Sequence, residues 1–346
     1  GQAYGDPSQV PWESLMPGSL VRIHFRMLPY AHKWVIAAAG TPGSPIVVRG
    51  IPKNGVLPVI TGENAVTRQE LDFWNENRSV IKIGGSSNPS QIPSHIVIEN
   101  LDIRSARPPY TFTDDRGNLK PYSKTASCIH GETGENITIR NCILQDSGNG
   151  FFSSAQTSDL VIEGNHIHGN GIENSIFHHN NYTESLGIIF QYNRFGPLRS
   201  GCRGNNLKDR SAGTIVRYNW IEAGNRCLDL VDSDHARLIN DPSYRATHVY
   251  GNILIKGDVV ENSQVLHYGG DSGDLTRYRQ GTLWFFINTV VSYRSGNTTL
   301  MRLSSNGEHA KVFNNILFTS APSGRLAMLD AQGVMALHHN WLTRGW

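Results

Sequence analysis

Apolar residues in this chain come in short runs separated by polar residues, too brief and too β-branched for helices. Ile137-Thr138-Ile139, Gly187-Ile188-Ile189-Phe190 and Thr214-Ile215-Val216 read as strands of three to five residues. An Asn follows most such runs, at 141, 165, 193, 219, 252, 288, 315 and 340. Each has an apolar residue two positions later: Ile143, Ile167, Phe195, Ile221, Leu254, Val290, Leu317 and Leu342. The gaps between successive Asn run from 24 to 36 residues, as expected of a recurring supersecondary unit with insertions in some turns. Coils of about 25 residues, each built of short strands, describe an all-β parallel solenoid.

A second strand family precedes each Asn turn by ten residues or more: Cys128-Ile129-His130, Phe151-Phe152-Ser153, Ile176-Phe177-His178, Asn206-Leu207-Lys208, Cys227-Leu228-Asp229, Val265-Leu266-His267 and Leu300-Met301-Arg302. In each, an apolar residue immediately precedes a polar one. Alternation then predicts that Ile129, Phe152, Phe177, Leu207, Leu228, Leu266 and Met301 stack inward. The outward row is His130, Ser153, His178, Lys208, Asp229, His267 and Arg302, with neighbours about 4.8 Å apart. Two residues further on, the same face carries Glu132, Ala155, Asn180, Arg210, Val231, Gly269 and Ser304. Lys208 is thus expected beside His178 and Asp229, with Arg210 next along its strand and His179, Asn181 and Tyr182 at the adjacent turn. Three His, a Lys, an Asp and two Arg are an unusual set for a solvated β face, which more often carries Thr, Ser, Lys and Glu. A polar ladder with incidental ion pairs is the bland alternative.

One domain is expected over residues 1–346, with an N-terminal cap over 1–18 covering the open first rung. Insertions at about 107–125, 232–245 and 268–280 have turn composition and no repeat signal, and are expected as long loops walling a groove. The 35 Gly fit a chain full of turns, and no stretch approaches the roughly 20 apolar residues of a membrane span. A net charge of +2 argues against a polyanion-coating protein, so no nucleic acid and no membrane partner is expected. Gly1-Gln2-Ala3-Tyr4 carries no charged and apolar leader, so a targeting peptide is either absent or already removed. Cys202 and Cys227 are 25 residues apart, one coil, and are either a disulfide of an oxidising compartment or two buried thiols.

The Asn repeat and its coils resemble the right-handed parallel β-helix proteins of the pectate-lyase-like superfamily, over roughly residues 18–346. One tight turn of that fold often carries a stacked Asn. Asn tolerates the left-handed backbone, and its amide can bond the Asn of neighbouring coils. The resemblance implies a carbohydrate-active enzyme, first of all a secreted or periplasmic polysaccharide lyase acting as a monomer on a uronic-acid polysaccharide. A glycoside hydrolase or a non-catalytic glycan-binding β-helix are the alternatives, because the fold hosts several activities.

β-Elimination at a uronate needs a cation for the carboxylate, a base for the C5 proton and an acid for the leaving oxygen. Arg210 suits the first role through its bidentate fork. Lys208 suits the second if its neighbours make it give up its proton, which Arg210 favours and Asp229 opposes; the lyases resembled use Lys or Arg as base. His178 or Tyr182 suits the third. Lys208, Arg210, His178, Tyr182 and Asp229 are therefore the candidate catalytic residues, and His130, His179, Asn181, His267, Arg302 and Tyr278 the candidate substrate contacts. No metal or other cofactor is expected, since the calcium-binding Asp group and Arg-x-Pro-x-x-Arg segment of pectate lyases are not visible. Calcium at Asp229, Asp232 and Asp234 is the remaining option, although Asp232 is expected to point inward or enter the turn. Hydrolysis needs two carboxyl groups. Asp229 is the central one, Glu132 lies four rungs away at roughly 19 Å by the sheet spacing, and a partner would come from a loop, as Asp271 or Asp274. Tyr110, Phe112, Trp220 and Tyr278 are the candidate sugar-stacking aromatics.

Overall fold

The computed structural model describes residues 2–69, 71, 73–85, 91–258, 262–320 and 324–346. Within them the strands form three long sheets of 11, 13 and 10 members. Gly134–Arg140, Thr157–Glu163, Leu186–Gln191, Ala212–Arg217 and Ala246–Tyr250 lie side by side in the first sheet, each one coil further along the chain and all parallel. The chain is a right-handed parallel β-helix, the hand that parallel crossovers take. Its interior is a stack of apolar rows. Val48, Ile98, Ile139, Ile162, Phe190, Val216, Val249, Phe285 and Val312 are register partners in the first sheet, and all are fully buried. Ile103, Leu144, Ile167, Phe195, Ile221, Leu254, Val290 and Leu317 make the matching row of the third sheet. Each such side chain contributes about 1.5–3 kcal/mol by leaving water.

At the corner between the first and third sheets runs a ladder of buried amides. Asn165 Nδ2 donates to Asn193 Oδ1 at 3.0 Å, and the same bond links 193 to 219, 219 to 252, 252 to 288, 288 to 315 and 315 to 340 at 2.9–3.2 Å. Each Oδ1 also accepts the backbone N–H of the preceding Asn, as at 3.0 Å between Asn193 N and Asn219. Asn141 is not in this ladder. Cys142 holds the aligned position, donating its N–H to Asn165 Oδ1 at 2.9 Å, and Leu144 rather than Ile143 enters the core row. The left-handed residue is the one before the ladder: Asn141, Gly164, Tyr192, Tyr218, Gly251, Ile287, Asn314 and His339 have φ of 54–67°. The ladder Asn is thus selected for its amide and not for backbone tolerance. A β-branched Ile287 held at φ 56° measures how strongly the ladder overrides local preference.

The second sheet corrects the register expected at two coils. Its inward row is Ile81, Ile129, Phe151, Asn181, Leu207, Leu228, Leu266 and Met301. Phe152 faces outward, because either Phe satisfies an apolar position and only the pairing decides. The strand of the next coil is Asn181–Thr183, not 176–178. Phe177 is 71% exposed on a loop. A second amide ladder, Asn170 to Asn180 to Asn206 at 3.0 and 2.9 Å, pins Asn180 inside and starts the strand after it. Asn181 then points inward as well, its Nδ2 bonded to Thr183 Oγ1 at 3.0 Å and the Lys208 carbonyl at 3.3 Å. A polar residue in an inward position is what misleads an apolar-then-polar reading.

Helix is scarce among the described residues. The N-terminal cap is two 3₁₀ turns, Pro7–Gln9 and Trp12–Ser14, with Trp12 stacked on Trp34 of the first coils at 4.7 Å. The insertion at 107–125 is not a bare loop. Thr111–Thr113 and Leu119–Pro121 form a hairpin, and the first of them pairs with Ala65–Thr67 to extend the second sheet. The insertion at 232–245 carries a four-residue helix, Ala236–Ile239, and a 3₁₀ turn, Pro242–Arg245. All four Cys are free and buried, so Cys202 and Cys227 are thiols and not a disulfide. Burial pushes Cys227 up to about 11 and Cys142 to about 12, which leaves them inert.

Asn219→Ala is expected to strand Asn193 N–H and the Phe190 carbonyl, which Asn219 now satisfies. At about 1–3 kcal/mol per stranded group, urea unfolding should show a loss of at least ~2 kcal/mol. Asn141→Gly, at an exposed left-handed position, should change stability by under ~1 kcal/mol.

Candidate active site

The corrected register places eight residues on one outward line of the second sheet: Lys82, His130, Phe152, Tyr182, Lys208, Asp229, His267 and Arg302, each directly paired with the next. Ser153 and His178 are replaced in it by Phe152 and Tyr182. Two residues further along each strand come Glu132, Ser154, Glu184, Arg210, Val231, Gly269 and Ser304. Ala155 and Asn180 therefore drop out of this second line, and Glu184 enters it beside Arg210.

Asp229 is the electrostatic centre. Its Oδ2 meets Lys208 Nζ at 2.7 Å and Asn205 Nδ2 at 2.6 Å, and its Oδ1 meets His267 Nδ1 at 2.9 Å and Arg226 Nη1 at 3.5 Å. Burial alone would raise this carboxyl; Lys208, His267 and Arg226 outweigh it and hold Asp229 well below the ordinary carboxylate range. His267 in turn places Nε2 2.8 Å from Ser304 Oγ. Burial lowers its proton affinity despite Asp229, so it is a neutral ring that orients the carboxylate. Buried polar groups here are densely paired, and removal of one leaves its partners exposed to the full desolvation penalty.

Lys208, on the strand Leu207–Asp209, and Arg210, just past its end, project from the same face. Asp271, from the insertion at 268–280, bridges them: its Oδ2 lies 2.6 Å from Lys208 Nζ and its Oδ1 2.8 Å from Arg210 Nη2. Asp271 is held well ionised, burial being outweighed by those two cations. Arg210 also donates Nε–H to Tyr182 Oη at 3.1 Å and reaches the Asp232 carbonyl. Asp232, fully buried, fixes the loop by accepting Asp271 N–H at 2.7 Å and the Ser272 hydroxyl. Around these groups lies a cleft of about 620 Å³, lined among others by Phe177, His179, Tyr182, Glu184, Arg226 and Arg277. His179 Nδ1 accepts Asn205 N–H at 2.9 Å, and burial pushes this ring down to about 3, so it is neutral.

Lys208, Arg210, Tyr182, Asp229 and His179 thus converge, with His267 directly behind Asp229. The other expected residues do not join them. His178 is buried on its loop with Nδ1 2.6 Å from Ser175 Oγ. His130 sits three rungs from Lys208, edge-on to Phe152 at 5.0 Å, where burial and the cations Lys82 and Arg78 keep it neutral. Asn181 is interior. Arg302 is exposed two rungs beyond Asp229. Tyr278 is packed beneath Gly270, whose added Cβ would fall 2.1 Å from its ring, so it offers no face to a sugar. Phe112 is buried over Lys33, Tyr110 is bonded to Asp146 at 2.9 Å, and Trp220 lies on the third sheet. Glu184, Asn205 and Arg226 were not foreseen as site residues, and Asp232 was named only as a calcium ligand. Only Glu184 had a readable signal, through its two-residue spacing from Tyr182.

Burial, aided by Asp234, pushes Glu184 up to about 7 from its ordinary 4.5, against the pull of Arg210. Its Oε2 lies 3.2 Å from His235 Nε2, which is 3.3 Å from Asp234 Oδ1. These three could hold a cation, their ligand atoms all lying within 4.8 Å of one another. The trio Asp229, Asp232 and Asp234 cannot, because the first two are committed to Lys208 and to the Asp271 loop. Two carboxylates and one imidazole fit calcium poorly, since calcium takes six to eight oxygens, so this is a weak set.

Fold and cleft together define a right-handed parallel β-helix protein with a charged groove on its second sheet. Neither a protein-family model nor a curated protein sequence matches the chain. Among solved structures it is similar to an alginate lyase from Paenibacillus sp. str. FPU-7, at 11% identity and a TM-score of 0.60 over 94% of this chain and 95% of that one. It is similar also to DFA-IIIase from Arthrobacter chlorophenolicus A6 without its lid, at 10% identity and 0.52 over 94% and 88%. A GH136 lacto-N-biosidase from Eubacterium ramulus aligns at 13% identity and 0.49 over 95% of this chain and 62% of that one. At such identities the first two likenesses speak for the fold alone.

A carboxyl raised from 4.5 to about 7 on folding stabilises fully below 4.5 and loses that contribution as pH rises through 7, because the folded form binds the proton more tightly. Glu184→Gln removes the titration. Across that window wild-type stability should fall relative to the variant, measured as the difference between their urea midpoints at pH 4.5 and pH 8. A constant difference would refute the perturbed carboxyl.

Proposed function

We propose that the protein is a carbohydrate-active enzyme that cleaves an acidic, uronate-containing polysaccharide by β-elimination in the cleft around Lys208 and Tyr182. One observation carries this reading: Lys208 and Arg210 grip a single carboxylate between them, with the Tyr182 hydroxyl alongside. A uronate carboxylate set in the same grip has its charge neutralised where the C5 carbanion would delocalise it, which is the largest demand of the reaction. Lys208 is less suited to be the base than its sequence position suggests. An amine held by two carboxylates is an ammonium with no lone pair to offer. We assign it to charge neutralisation, and proton transfer to Tyr182. In this assignment Arg210 Nε–H, which donates to Oη at 3.1 Å, stabilises the oxyanion form of Tyr182 that takes the C5 proton and returns it to the glycosidic oxygen. The C4–O bond breaks, a C4=C5 double bond forms and Tyr182 is regenerated. The likeness of the fold to an alginate lyase supports the substrate class by analogy.

A glycoside hydrolase is the second reading, favoured by Glu184. A carboxyl near 7 in the same cleft as the ionised Asp271 is the unequal pair that acid-catalysed glycoside hydrolysis uses.

Incubation with a panel of uronate polymers should generate the ultraviolet absorbance of an unsaturated uronate. Tyr182→Phe should lose about 10²–10⁴ in kcat. Lys208→Arg should keep much of the turnover, and Arg210→Lys should raise KM, a point charge replacing a fork. If Lys208→Arg is as inactive as Tyr182→Phe at unchanged KM, Lys208 is the base. New reducing ends without absorbance, abolished in Glu184→Gln, would establish the hydrolase instead.

A further inference from the structure

The grip between Lys208 and Arg210 is already filled by the protein itself, and we propose that Asp271 is a resident carboxylate which the substrate's carboxylate must displace, making it a specificity-determining residue of the cleft. This rests on the reading that the ligand is anionic. Asp271 makes two short charge-assisted contacts, one to each cation, at 2.6 and 2.8 Å. Its side chain is one-third exposed, so it stands at the mouth and not at the base of the cleft. The backbone beneath it is fixed independently of those contacts. Asp271 N–H is held by Asp232 at 2.7 Å, and Gly270 N–H by Ser304 Oγ at 2.8 Å. Rotation of one side chain therefore empties the grip without unfolding the loop. Asp229, which also holds Lys208, cannot leave in the same way, being buried with four partners.

The exchange is selective by its electrostatics. An incoming carboxylate replaces one anion on Lys208 and Arg210 by another, so the cations stay paired while Asp271 turns to water. A neutral sugar entering the same place would take Asp271 from both cations and give nothing back, leaving Lys208 with Asp229 alone and Arg210 with only the more distant Asp232 at 3.5 Å, and an incompletely paired buried charge is costly. The competing internal group thus rejects neutral sugars more than it hinders acidic ones, specificity obtained by penalising the wrong ligand. It also taxes affinity. If the grip is open in a tenth of molecules or fewer, the apparent dissociation constant is at least about tenfold weaker than the intrinsic one.

Calorimetric titration of wild type, Asp271→Ala and Asp271→Asn tests this with two probes, acetate and an unsubstituted oligouronate, with Asp274→Asn as a loop control. The Asn variant keeps the size and loop contacts should the Ala variant unfold, and melting curves check both. Both Asp271 variants are expected to bind acetate and oligouronate at least about tenfold more tightly than wild type, with Asp274→Asn unchanged and a neutral oligosaccharide gaining at least as much, so that the preference for the acidic ligand does not rise. Equal or weaker binding by the Asp271 variants would overturn the proposal, as would loss of turnover with unaltered affinity, which would make Asp271 a group acting on the substrate. Acetate separates this result from the function itself. Tighter acetate binding with no polymer cleaved leaves the displaced carboxylate standing and removes the lyase; cleavage with unchanged acetate binding does the reverse.

Discussion

Rung-to-rung register is the constraint on which the rest of this molecule depends. A cleft residue here meets its neighbour from the next coil because strands stand one hydrogen-bond spacing apart, about 4.8 Å. Tyr182, Lys208 and Asp229 are distant in sequence, and they touch only because Asn181–Thr183, Leu207–Asp209 and Leu228–Leu230 pair in a fixed order. A slip of one residue would turn each of them inward. The buried amides prevent that slip. The long corner ladder locks the first and third sheets, and Asn170, Asn180 and Asn206 lock the entry to the second. An amide buried with its partners in place costs little, and one shifted out of line costs several unmade bonds at once.

On that frame the cleft is a balance of charge. Asp229, Asp232 and Asp271 face Lys208, Arg210 and Arg226, with His179 and His267 as neutral donors and acceptors. The strands supply Lys208 and the innermost carboxylate, the residues flanking them supply Arg210 and Arg226, and the insertions supply Asp232 and Asp271. Buried Arg279 ties the two insertions together, donating to the carbonyls of Val231, Ser211 and Tyr244. Rigid strands thus set the distances between charged groups, and a loop tied down by its backbone sets which charge is presented at the mouth.

Much of this was legible in the sequence. The Asn repeat gave the solenoid, and the apolar-polar pairs at Leu207-Lys208, Leu228-Asp229 and Leu266-His267 gave the central rungs, because in those coils the inward residue is apolar and the outward one charged. The reading failed where that contrast fails. Phe151-Phe152 offers two apolar residues, and Asn181 is polar but inward. Asn141 mimicked a ladder position that Cys142 holds, since a left-handed turn and an amide ladder both select Asn. The share of the site contributed by loops was the least readable. Asp271 could be named as a loop acid, but its seat between Lys208 and Arg210 is set by Asp232 and Ser304, contacts that no local pattern encodes.

The corner amides all point the same way. From Asn165 to Asn315 every Nδ2 donates to the Oδ1 of the Asn one coil on. Their dipoles therefore add along the axis instead of cancelling, and each bond polarises those on either side. Such a chain is strongest away from its ends, where a group has polarised neighbours in both directions. Asn219, Asn252 and Asn288 occupy that middle stretch, and the first two lie in the coils that carry Lys208 and Asp229. The amide chain thereby makes the coils of the cleft the least deformable part of the corner.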